Sequence, residues 1–107
     1  MFSVSGTDVT ISRGDTGTLT ITLTGDVPAD NTVALITVRK DVNKTDFEWE
    51  KHLAVNDGTI VVPLSSEDTD LPWHDYCWDL RLLYENGDIF TPFPPALFRV
   101  CEVVGDV

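Results

Sequence analysis

The side chains able to do chemistry in this chain are few and scattered. Its imidazoles and thiols are His52, His74, Cys77 and Cys101. His74 and Cys77 stand at a ligand spacing, but no second closely spaced pair accompanies them, and zinc sites are ordinarily built from such pairs. Asp75 or Asp79 could complete a thiol–imidazole–carboxylate set around Cys77, yet a strand turns consecutive side chains to opposite faces and scatters that set. Ser65, Glu67, Asp68 and Asp70 of "SSEDTD" offer calcium oxygens without the glycine and closing glutamate of an EF-hand loop. No Gly-x-Ser-x-Gly elbow and no glycine-rich phosphate loop is present. The expectation is a protein with no catalytic site, no metal and no cofactor.

Two further groups could bind rather than react. Arg13-Gly14-Asp15 matches an adhesion tripeptide, but it falls in a short link between two apolar alternations. There Gly14 supplies a positive φ and Asp15 a turn acceptor, so the triplet reads as a turn. Trp49, Trp73 and Trp78 could stack on sugar rings if exposed together. Trp78, framed by Tyr76 and Leu80, reads as core; Trp49 on an edge hairpin and Trp73 in a loop are the surface candidates. With Phe93, Pro94 and Pro95 of "PFPPA", Trp49 and Trp73 make the candidate protein-contact set, since exposed aromatics and rigid prolines anchor interfaces.

The elements that must position these residues are strands. Leu19, Ile21 and Leu23 alternate with threonines over 17–24, the period of a half-buried strand. "TDVTIS" before it, "TVALITVRK" (32–40), "FEWEKHLAV" (47–55), "TIVVPL" (59–64), "IFT" (89–91) and "LFRVCEVV" (97–104) read likewise. Asn56-Asp57-Gly58 supplies the positive-φ positions of a tight hairpin, and Glu85-Asn86-Gly87-Asp88 predicts a type I′ hairpin. Pro63 ends its strand or marks an edge. Residues 65–73 are an open connection, with a helical turn begun by Ser65 or Ser66. "DYCWDLRLLY" (75–84), the longest alternation, belongs at the centre of a sheet. Cys77 and Cys101 fall on neighbouring strands, off the inward face, and two free thiols is the plainer expectation. Seven to eight strands without a long helix predict one antiparallel immunoglobulin-like β-sandwich over residues 1–107, with a small barrel as the alternative.

A chain of 107 residues has the size of one core. Eighteen acids against seven bases leave a net charge of −11, which repels nucleic-acid phosphates and anionic lipid surfaces. "MFSVSGTDVT" lacks the basic and apolar regions of a secretory signal, and no apolar run reaches the length of a membrane span.

Taken in order, "ISRGDTGTLTITLT", "ITVRKD", "EKHLAVNDGTIVVPLSSEDTDLP" and "HDYCWDLRLLYENGDIFTPFPPALFRVCEVV" resemble the immunoglobulin-like N-terminal modules of phage and prophage baseplate upper proteins. The resemblance covers nearly the whole chain. It implies that Gly14, Asp15 and Thr16 form a structural turn and that Tyr76 and Asp79 hold the central strand in the manner of a tyrosine corner. "PFPPA" departs from the family pattern and so marks a contact particular to this chain. The implied function is a non-enzymatic structural or adaptor part of a tail or baseplate. Such a protein is made in the host cytoplasm and carried in the virion, with other tail proteins or further copies of itself as partners. A carbohydrate-binding, host-attachment module is the alternative.

Overall fold

The computed structural model describes residues 2–5, 7–24, 28–41, 43, 46–72 and 74–102, the first four as backbone. Among these residues the strands are β1 (Phe2–Ser5), β2 (Asp8–Ser12), β3 (Gly17–Thr22), β4 (Val33–Arg39), β5 (Trp49–Ala54), β6 (Thr59–Leu64), β7 (His74–Leu83), β8 (Ile89–Phe90) and β9 (Ala96–Cys101), with one helical turn, α1 (Ser66–Thr69). A seven-stranded sheet runs β1-β2-β9-β7-β4-β5, with β8 also on β7, and a two-stranded sheet, β3-β6, shares its core. The molecule is an all-β sandwich with layers of very unequal width.

Strand parity builds the core as expected. Tyr76, Trp78, Leu80 and Leu82 of β7 are buried, facing Ile36 and Val38 of β4 and Phe98 of β9 within one apolar cluster. β7 is central, paired to β4 along Cys77–Leu83 and to β9 along His74–Trp78. β8 continues that second edge at Leu82 and Leu83, so β8 and β9 are one strand position interrupted by the proline segment. Proline cannot donate to a ladder, which accounts for the break.

Three expectations change. The sheet is not wholly antiparallel: β2 runs parallel to β9 from Val9↔Phe98 to Ser12↔Cys101, which a crossover of nearly the whole chain permits. The turn after β5 has the expected positive φ at Asp57 (52°) and Gly58 (71°), closed by Asn56 and Thr59 bonds of 3.0 and 2.9 Å. Its strands then part, however, β5 to β4 and β6 to β3. The cause lies at Val55, fully buried and held to the start of β4 by bonds to Thr32 and from Asn31. The supposed hairpin is therefore the crossing from one layer to the other. At 85–88 only Gly87 has positive φ (93°), and its N–H donates to Tyr84 O at 3.0 Å. The connection is a three-residue loop with a glycine bulge instead of a two-residue type I′ turn. The Asp88 N–H donates to Asn86 Oδ1 at 2.9 Å, a local bond that suits this wider turn.

Candidate functional site

The arrangement least expected from the sequence lies where the small sheet stops. Leu23 N–H donates to Gly58 O at 2.8 Å, which fixes the bonding parity of β3 against β6. In an antiparallel pair, bonded and non-bonded positions alternate, so Leu19 and Ile21 bond to β6. Thr18, Thr20 and Thr22 then turn their backbone N–H and C=O to the opposite edge, where no described strand pairs with them. Pro63 lies across from Thr18, a non-bonded position, so its missing N–H falls on the far edge of β6. Proline there blocks edge-on pairing. β5, an edge of the large sheet, carries Glu50, Lys51 and His52, which deter it too. β3 carries threonine and aliphatic residues alone after Gly17.

Beside this open edge runs a cleft of about 390 Å³, lined by Ile21, Leu23, Trp78, Tyr84, Phe90 and Phe93 among others. Phe90 pairs with Leu82, which is 1 % exposed, so both belong to the inward face; Phe90 is nevertheless 53 % exposed because nothing described covers it. Trp78 forms the floor, its indole N–H donating to Thr7 O at 2.8 Å and its ring meeting the edge of Phe93 at 5.2 Å. Buried indoles usually find such a partner. Ile89, 63 % exposed, extends the apolar surface to the neighbouring outward position.

No described lining residue is charged; Asp8, Arg81 and Glu85 adjoin lining residues Thr7, Leu82 and Tyr84 in sequence. Three of the described cations are engaged elsewhere. Arg13 bridges Asp70 at 2.9 Å and Glu102 at 3.2 Å, Lys51 meets Asp68 at 2.9 Å, and Arg99 meets Asp75 at 2.8 Å. The hydrogen bond from Arg99 holds the Asp75 carboxyl below its ordinary value. The cleft therefore combines an apolar floor with a row of free backbone groups, on a molecule of net charge −11.

Comparison with known proteins finds no matching family, curated protein or solved structure.

The residues proposed from sequence distribute unevenly around this site. Phe93 lines the cleft, folded back on Trp78, while Pro94 and Pro95 are exposed beyond it. Trp49 is half-buried on β5, across Val38 from Trp78: its indole N–H donates to Asp68 O at 2.9 Å, and its ring meets Phe98 edge-on at 6.1 Å. Lys51 sits over that ring, 5.5 Å from its centre. Trp73 lies outside the described residues.

His74 faces Tyr76 at 5.2 Å, whereas Cys77 lies on the other face and donates to Arg39 O at 3.5 Å. Burial pushes the Cys77 thiol up, the reverse of what a nucleophile needs. Among the described residues no three His, Cys, Asp or Glu gather as a metal site. Asp68 and Asp70 of the acidic loop serve instead as a helix cap and an ion-pair partner. Cys77 pairs with Leu97, four residues before Cys101, so the two cysteines are offset by about 13 Å along their strands, beyond disulfide reach, and both are free. The Arg13-Gly14-Asp15 stretch is a turn: Gly14 has φ 82°, and Asp15 N–H donates to Ser12 O at 3.0 Å. Phe90 and the threonine edge escaped the sequence reading. Their signal was faint: Pro63 in one strand of the pair and no charge in the other.

Proposed function

We propose that this chain is a non-enzymatic structural or adaptor protein of a phage or prophage tail or baseplate, acting through protein–protein contacts. The contact half of this reading is carried by one observation, the half-exposed Phe90 on an inward face beside the unpaired edge of β3. Monomeric proteins seldom leave such a strip open without a use for it. The virion half rests on the ordered resemblance of the four sequence stretches. The tyrosine-corner bond from Tyr76 Oη to Pro72 O, 2.8 Å, supports the immunoglobulin-like part of that resemblance. Pro94 and Pro95, exposed beside the cleft, remain contact candidates. The glycan alternative draws less support, because Trp49 offers only a half-buried ring whose N–H is already used.

The test is to tag the chain in bacteria producing the particles and fractionate those particles on a density gradient. Co-sedimentation with tail structures is the expected result. Recovery of the chain only in particle-free fractions would remove the virion assignment.

A further inference from the structure

We infer that the cleft beside β3 receives a β-strand donated by a different, basic protein, which pairs with the open edge and lays alternate apolar side chains on Trp78 and Phe90. This deepens the protein-contact reading above and rests on it.

Three observations converge. The first is the edge itself. Thr18, Thr20 and Thr22 present unpaired N–H and C=O groups in a row, the template that strand addition uses. Of the edges formed by β3, β5 and β6, this is the one without a proline or a charge; β1 and β8 lack both as well, but β3 is the longest of these three strands. Natural sheets guard edges that must stay unpaired, so an unguarded one is the edge meant to pair. The second is the floor. An added strand next to β3 would extend the narrow layer over the wide one, and the surface beneath it is the apolar strip of Trp78, Tyr84, Phe90 and Phe93. Main-chain bonds would supply affinity, and every second side chain of the guest would fill the cleft.

The third observation is charge, and it selects the guest. A second copy of this chain carries the same −11, so bringing two together stacks like charge on like. No described lining residue is a Lys or Arg. An extended segment flanked by lysine or arginine is complementary to a molecule of net charge −11; an acidic one is repelled.

The experiment uses the whole chain and a short synthetic peptide alternating valine with threonine between paired lysines. Binding is followed by amide chemical shifts and calorimetry. Micromolar binding is expected, with the largest shifts at the Thr18, Thr20 and Thr22 amides and the Trp78 indole. Thr20→Pro and Phe90→Asp should each weaken it about tenfold or more. Phe90→Asp changes an exposed side chain, so it keeps the test valid should Thr20→Pro fail to fold. The same loss is expected for a glutamate-flanked peptide and for one N-methylated on its edge-facing amides. Absence of binding, equal binding by the N-methylated peptide (an apolar-pocket ligand), equal binding by the acidic peptide, or concentration-dependent self-pairing of the chain through Thr18–Thr22 would each overturn the inference. Particle association without edge binding would remove the donated strand and leave the structural role. Edge binding without particle association would do the reverse.

Discussion

At the scale of single residues, two polar contacts on β7 illustrate how strand parity becomes stability. Tyr76 is buried, and its hydroxyl bonds Pro72 O, tying the incoming loop to the strand it feeds. Tyr76→Phe keeps the ring and loses the bond, so it should cost about 1 kcal/mol in denaturant unfolding, with no change of fold. On the other face Asp79 is only 8 % exposed and meets Arg39 at 3.1 Å, while Asp79 Oδ1 and Arg39 Nε lack partners. Asp79→Ala strands the guanidinium and should cost about 1–3 kcal/mol, whereas Arg39→Met with Asp79→Leu should recover most of it. Equilibrium unfolding of the single and double variants checks this. The facing of both residues was legible from the alternation of 75–84. The Arg39–Asp79 pair was not, because pairing across β4 and β7 depends on a register that spacing along one strand cannot reveal. The thiols show the same limit: neighbouring strands were foreseen, the four-residue offset was not.

At the scale of elements, α1 stands because Ser65 and Asp68 form a reciprocal capping box, with Ser65 N–H donating to Asp68 Oδ2 at 2.8 Å and Asp68 N–H to Ser65 Oγ at 3.2 Å. Burial pushes the Asp68 carboxyl up, but Ser65 and Lys51 together hold it below its ordinary value. A depressed folded-state pKa stabilises wherever the unfolded carboxylate would be ionised. Its contribution is therefore complete above about pH 4 and is lost as acid carries the pH through the lower folded value. Asp68→Asn should lower stability near neutrality and flatten its fall below about pH 4, measured by denaturant midpoints across that range. A helical start at Ser65 or Ser66 was readable from the sequence, and the cap is Ser65. The crossing after β5 was not: Asp57-Gly58 dictates a tight turn, and only the capture of Val55 by the start of β4 decides that the next strand joins the other layer. Phe93 makes a parallel case. Composition marked "PFPPA" as a contact segment, whereas its phenylalanine packs on Trp78, Pro92 lines the cleft, and Pro94 and Pro95 are exposed. Phe93→Ala should therefore lower the melting temperature as well as perturb the cleft, which thermal unfolding will show.

At the scale of the whole molecule, the unequal layers matter most. A two-stranded sheet cannot cover a seven-stranded one. The described residues place α1 against Trp49 and leave the strip beside β3 uncovered. The all-β sandwich and its central strand followed from alternation alone. The asymmetry did not, since a periodic strand looks the same whether its edge is paired or free. The −11 charge opposes self-association and is complementary to a basic guest.

The open site requires that alternate amides of β3 be free, and hydrogen exchange in the isolated protein reads them one by one. Exchange at Thr18, Thr20 and Thr22 should be about tenfold or more faster than at Leu19, Ile21 and Leu23, because only the latter bond to β6. Protection of the three threonine amides equal to that of their neighbours would mean the edge is already occupied, and would contradict the open site.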